Sequence, residues 1–202
     1  MNKHKGYDEE YYFNNHLKKV HARYGIIIKR YYRYIASYIF ANAAKISKQN
    51  KILDIGCGVG ILVEQFTKLG YDAVGVDVNV AAIQHSLIPE KCFLVDTTAH
   101  LDYPDNYFDL VVSREVLEHI PAQEIDDCIN ERERVSKDKM IHIIAVSERG
   151  ASALNDPVHV NVQSEKRREE KFTEHGYSTI RKPKRFFLSP YGSSGYLMFV
   201  KK

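Results

Sequence analysis

Only three cysteines, Cys57, Cys92 and Cys128, occur among 202 residues, and they are scattered. That excludes a disulfide framework and the paired spacing of a zinc site, and it fits a reduced compartment. No apolar run approaches the ~20 residues that a membrane-spanning helix needs. The longest, Tyr34 to Ala44, is broken by Ser37 and Asn42. The opening residues, MNKHKGYDEEYY, lack the apolar region of a secretory leader, so a cytoplasmic location is expected. Excess charge is also missing: 29 Lys and Arg against 26 Asp and Glu leave a formal +3. A balance so close to zero makes no electrostatic case for nucleic acid. No internal repeat, low-complexity tract or linker divides the chain, so one domain over 1–202 is expected.

The remaining composition is that of an ordinary globular protein, 44% hydrophobic and 27% charged. From Tyr7 to about Ile46 the pattern is helical. Ile27, Ile28, Tyr31, Tyr32, Ile35, Tyr38 and Ile39 recur at three- and four-residue steps, and Gly25 separates a first helix, roughly Asp8 to Tyr24, from a second. Short apolar runs then alternate with helical patterns. The runs are Lys51–Ile55, Ala73–Val76, Cys92–Val95, Phe108–Val112 and Met140–Val146. The helical segments are Gly60–Leu69, Val80–Leu87, Ala122–Val135 and Glu165–His175. This alternation predicts an α/β fold, a mainly parallel sheet with helices on both faces. Gly70 stands where a helix would end on a left-handed residue. Ser178–Arg181 and Tyr196–Val200 have no helix between them and predict an antiparallel pair.

The strongest motif is ILDIGCGVG, residues 52–60: an apolar strand, then three glycines, then a helical pattern. Glycine lets a ligand approach the backbone, and the carboxyl end of a strand in an open sheet is where ligands bind. The spacing is G-x-G-x-G. Aligned on Gly56 and Gly58, the dinucleotide fingerprint would require a third glycine where Ile61 stands. Asp54 beside the loop suits a cationic amino-acid moiety better than a pyrophosphate. The next two strands also deliver carboxylates, Asp77 in AVGVDVN and Asp96 in FLVDTT. Asp77 can accept from two ribose hydroxyls and Asp96 from an exocyclic amine.

Together ILDIGCGVG, GVDVN, LVDTT and FDLVVSREVLEHI resemble class I S-adenosylmethionine (SAM)-dependent methyltransferases in order and spacing, over Lys51 to the C-terminus. The resemblance implies a doubly wound, Rossmann-like core over 49–202, with seven strands and an antiparallel last strand. It also implies an N-terminal helical cap over 1–48, covering the acceptor side. The implied cofactor residues are Asp54, Gly56, Cys57, Gly58 and Gly60 for the methionine end, with Asp77 and Val78 at the ribose. Asp96 and Thr97 would lie near the adenine, and Ser113 and Arg114 on the pocket floor.

The acceptor is much less legible. The Asn/Asp-Pro-Pro-aromatic motif of adenine amino-group methyltransferases is absent, since Ser113-Arg114-Glu115-Val116 stands there. No cysteine sits where cytosine carbon-5 chemistry would need one. A chain near the minimum for this fold leaves no room for a recognition domain, which favours a small-molecule acceptor. Glu115, Glu118 and His119, on one helical face, with His159 from DPVHVN, could hold a divalent cation such as Mg²⁺. That set resembles metal-assisted methyltransferases acting on quinone precursors or on the terminal 2′-hydroxyl of small RNAs. Without a metal, the same residues would support the helix, and His159 or His119 would serve as a base. Tyr11, Tyr12, Tyr31 and Tyr32 are candidate acceptor contacts. Two cationic groups stand out, Lys166, Arg167, Arg168, Lys171 and Arg181, Lys182, Lys184, Arg185; the glutamates among the first make it mainly a solvated helix face, and RNA is the competing partner. A non-catalytic SAM-binding regulatory module is a further alternative.

Overall fold

The computed structural model describes residues 25–37, 44–147, 158–179 and 197–201. The expected helix over Asp8 to Tyr24, with Tyr11 and Tyr12, lies outside these residues, as does the cationic group from Arg181 to Arg185. In chain order the elements are α1 (Gly25–Tyr34), β1 (Lys51–Ile55), α2 (Ile61–Lys68), β2 (Asp72–Asp77), α3 (Val80–Gln84), β3 (Cys92–Leu94), β4 (Leu110–Arg114), α4 (Ile125–Val135), β5 (Lys139–Ile143), α5 (Glu165–Glu174), β6 (Tyr177–Thr179) and β7 (Leu197–Lys201). The sheet has seven strands in the order β3-β2-β1-β4-β5-β7-β6. The parallel part is five strands, not all of the sheet: β1 pairs with β2 and β4, β2 with β3, and β4 with β5. β7 runs antiparallel to both β5 and β6.

Period-two alternation along the strands divides the core between the two faces. Ile52, Leu110, Val112, Ile141 and Ile143 pack with Tyr31 of α1, Ile35 just past its end, and Leu62 and Phe66 of α2. Leu53, Ile55, Val111, Met140 and Ile144 pack with Ile125, Cys128 and Ile129 of α4 and Phe172 of α5. Phe66 is fully buried, so truncating it to Ala costs about 3–5 kcal/mol. In α1 the buried stripe is Gly25, Ile28 and Tyr31. Ile27, expected in that stripe, is 56% exposed. Gly70 ends α2 in the left-handed region at φ 84.

Several boundaries move for identifiable reasons. β5 stops at Ile143 because the Ala145 N–H donates to a side chain, Glu118 Oε1, rather than to a strand. Phe108 precedes β4 and makes only an isolated bridge to Ser136. α3 ends at Gln84, and the Leu87 N–H turns back to Val59 O. The segment 115–119 does not form an α-helix. Glu115 takes a left-handed φ of 54, and only a 3-10 turn, Leu117–His119, follows. Among the described residues, no helix is long and apolar enough to cross a membrane.

Candidate active site

Parallel strands β1 to β4 bring four carboxyl ends to one rim. The glycine loop closes it. Gly56, Gly58 and Gly60 have φ of 76, 56 and 77, a left-handed region that side chains other than glycine occupy at a cost of about 1–2 kcal/mol. Space is tight as well: a Cβ on Gly56 would stand 2.3 Å from Val116 Cγ2. The loop is tied to β2 by the N–H groups of Gly56 and Cys57, both donating to Val76 O. Asp77 fixes the next turn. Its Oδ2 accepts from the Gly58 N–H at 2.7 Å and its Oδ1 from the Asn79 N–H at 2.8 Å. A carboxylate oxygen can accept more than one hydrogen bond, a capacity that suits a diol. Val78 is half-buried beside it.

Asp54 is 3% exposed. Burial, with the nearby charges of Cys92 and Asp77, pushes its carboxyl well above the usual range, and Arg114 opposes this. A buried carboxylate of this kind calls for a cation beside it. A sulfonium-bearing amino acid supplies one, and in that sense the residues fit the SAM cofactor. Asp96 and Thr97 are exposed on the rim past β3, with Thr97 Oγ1 accepting from the Ala99 N–H.

Strand alternation separates the two residues expected on the floor. Arg114 lies on the face of α1, its guanidinium donating to Tyr32 Oη at 2.6 Å and to Glu115 Oε1 at 2.8 Å. It stacks 5.1 Å from the Tyr32 ring. Ser113 points the other way. It is fully buried, and its hydroxyl is shared with His142 Nδ1 at 2.8 Å. The Ser113 side chain is therefore engaged with His142 inside the core and not with the rim. Burial and the Arg132 charge hold His142 well below its usual pKa, so the ring is neutral.

A second cluster lies at the end of the 3-10 turn. One ligand atom each from Glu118, His119 and His159 falls within 4.8 Å of the others. Glu115 is not in this group. The residue needed for a helical face is turned away by its left-handed backbone, and its carboxylate takes Arg114. Glu118 is fully buried, with Oε1 on the Ala145 N–H and Oε2 without a hydrogen-bond partner. Burial first, and the Glu115 charge second, push its carboxyl up to about 8. His119 Nδ1 lies 3.0 Å from Val158 O. A carbonyl can only accept, so Nδ1 carries the proton and Nε2 is the lone-pair nitrogen, as in metal-ligating and base histidines.

The support for this cluster contains residues that periodicity alone did not single out. Asn161 donates its N–H to Glu118 O and its amide to Ile120 O. Arg168 donates to Leu117 O and Asn161 O. It is 2% exposed, so unlike Lys166 and Arg167 it is not part of a solvated face. Its i, i+4 spacing to the buried Phe172 was the available signal.

The family described as "Methyltransferase domain" matches residues 27–178. A ubiquinone biosynthesis O-methyltransferase of Rhodopseudomonas palustris (strain BisA53) is 39% identical over 75 residues, 35% of this chain and 30% of that protein. The corresponding protein of Psychrobacter cryohalolentis is 33% identical over 106 residues, 45% and 41% of the two chains. The matched segment thus spans less than half the length of these curated relatives. Among solved structures, a SAM-dependent methyltransferase from Archaeoglobus fulgidus superposes with TM-score 0.64 at 17% identity, over 90% of this chain and all of that one. Magnesium protoporphyrin IX methyltransferase from Synechocystis, with bound S-adenosylhomocysteine, gives TM-score 0.67 at 18% identity, over 87% and 84%.

Proposed function

Because this chain belongs to the methyltransferase-domain family, we propose that it transfers a methyl group from SAM to an oxygen or nitrogen of a small-molecule acceptor. The observation that carries this reading is the rim itself: Asp54 buried beside the glycine loop, and Asp77 holding Gly58 and Asn79 at the carboxyl end of β2. When bound, SAM supplies an already activated methyl on a sulfonium. The chain then has to orient, desolvate and deprotonate. Asp54 offsets the positive charge of the methionine end. The glycine loop of Gly56, Cys57, Gly58 and Gly60 shapes the backbone around it. Asp77, flanked by Val78, orients the ribose, and Asp96 with Thr97 borders the adenine. Arg114, pinned to Tyr32, closes the floor towards the acceptor side. His159, half-buried beside Glu118 and His119, accepts the acceptor's proton, and His119 Nε2 is the second candidate base.

One observation favours a metal-assisted version. Glu118, His119 and His159 meet within a coordination sphere, and the buried Glu118 carboxyl leaves Oε2 unpartnered. A divalent cation there would lower the pKa of an acceptor hydroxyl. The curated relatives are named as O-methyltransferases of ubiquinone biosynthesis, which supports an oxygen acceptor among quinone precursors. The test is a methyl-labelling assay with labelled SAM, offering ortho-diphenols, monophenols, amines and total RNA separately, each with magnesium or with chelator. Label in the phenol or amine extracts supports the reading, and loss on chelation adds the metal. Label confined to RNA, or none with any acceptor despite SAM binding, would replace it with the RNA or the regulatory alternative.

A further inference from the structure

Two of the three cysteines share one pocket of the core, and two glycines make the room for them. Cys57 lies in the glycine loop. A Cβ on Gly75 would stand 2.6 Å from Cys57 Cβ and 2.7 Å from Cys57 Sγ, so the loop cysteine rests on a bare strand backbone. Cys92 is the register partner of Gly75 on the adjacent parallel strand, one strand spacing away, about 4.8 Å. Partners in a parallel pair project to the same face, and both cysteines belong to the same core cluster. Gly60 completes the pocket: its Cβ would stand 2.5 Å from Cys92 Sγ, while its N–H donates to Cys57 O at 3.0 Å. Cys128 sits in the other core, on the buried face of α4.

We propose that Cys57 and Cys92 form a peroxide-sensitive thiol pair whose oxidation to a disulfide locks the glycine loop and weakens cofactor binding. The two side chains fill one pocket, between the bare backbones of Gly75 and Gly60. Their proximity holds the Cys92 thiol below its usual pKa, with help from Ser86, and pushes Cys57 up. In this proposal Cys92, beside the Gly60 turn, attacks first, and the buried Cys57 follows. The Cys92 thiolate attacks one oxygen of hydrogen peroxide, breaking the O–O bond and giving a sulfenic acid and, after protonation, water. The Cys57 sulfur then displaces the sulfenic hydroxyl and loses its proton, forming the S–S bond and a second water. Two thiols and one peroxide become one disulfide and two waters. The bond draws Cys57 towards β3. The adjoining Gly58 N–H, held by Asp77, and the Cys57 N–H, held by Val76 O, are strained with it. These are the groups that shape the rim.

The affinity arm of the test rests on the proposed SAM site, and the chemical arm does not. The full chain is treated with hydrogen peroxide, and its intact mass and non-reduced peptide map are recorded. S-adenosylhomocysteine affinity is then measured before oxidation, after it, and after dithiothreitol. The expected result is a loss of about 2 Da, a Cys57–Cys92 linked peptide, a tenfold or greater fall in affinity, and full recovery on reduction. Cys92→Ser is expected to bind the ligand like the reduced protein and to ignore peroxide. Cys128→Ser is expected to remain fully sensitive, which keeps the test open if Cys92→Ser does not fold. Oxygen addition without a cross-link, a cross-link involving Cys128, or a Cys57–Cys92 bond that leaves affinity unchanged would each overturn the inference. Failure of the reduced protein to bind at all would instead overturn the cofactor reading.

Discussion

Replacing Glu118 by Gln should flatten the pH dependence of stability. The carboxyl is fully buried and titrates at about 8, against an ordinary value of 4.5. A raised folded pKa means that the native state holds the proton more tightly than the unfolded chain. The contribution is therefore complete below the unfolded value and is lost as pH rises through the folded one. Linkage puts the loss between pH 6 and pH 8, where the native carboxyl becomes half ionised, at about 2 kcal/mol. Gln keeps the acceptor for the Ala145 N–H and has no charge to bury. The wild type minus Glu118→Gln difference, from urea denaturation at pH 6, 7 and 8 in chelator, should shift by that amount against the wild type. All other titrating groups cancel in the difference. Parallel stability curves would show that Glu118 ionises as freely as a surface carboxylate and would refute its placement. Magnesium or manganese added at pH 8 should stabilise the wild type only, if the cluster takes a metal.

Other perturbations probe separate parts of the site. Gly75→Ala inserts a methyl against Cys57 and Val63 Cγ2, 2.6 and 2.8 Å away, and should cost about 1–3 kcal/mol in denaturation; no change would mean that the loop yields freely. Ser113→Ala strips the partner from the buried His142 Nδ1 and should cost about 1–3 kcal/mol, without weakening cofactor binding, which calorimetry can separate. Tyr32→Phe removes the hydroxyl that receives Arg114 and should cost about 1–2 kcal/mol. Unchanged stability would argue that α1 is not tied to the rim through this bond.

The fold was largely legible because its signals are local. Lys51–Ile55 is a strand as the apolar run implied, and the glycine spacing marked the loop whose three glycines are left-handed. Period two also separates Ser113 from Arg114: the residues follow one another in a strand, so their side chains take opposite faces. The expected Glu115–His119 face did not form. Helical spacing was assumed, but the chain leaves β4 through a left-handed Glu115 and a 3-10 turn, a choice set by tertiary packing. That turn still brings Glu118 and His119 to His159, because Asn161 and Arg168 fasten the later segment to it. Such cross-chain fastening leaves no periodic trace. The buried Arg168 was visible only as the i, i+4 companion of Phe172.

The central claim is a nucleoside cofactor held on the β1–β3 rim, and calorimetric titration with S-adenosylhomocysteine tests it most directly, with Asp77→Asn and NAD as controls. The account predicts saturable binding, weakened roughly 10- to 100-fold by removing the charge proposed to accept the ribose hydroxyls, in a variant whose far-ultraviolet circular dichroism is unchanged. No heat with the folded wild-type protein, or equal affinity in the Asp77 variant, would contradict it.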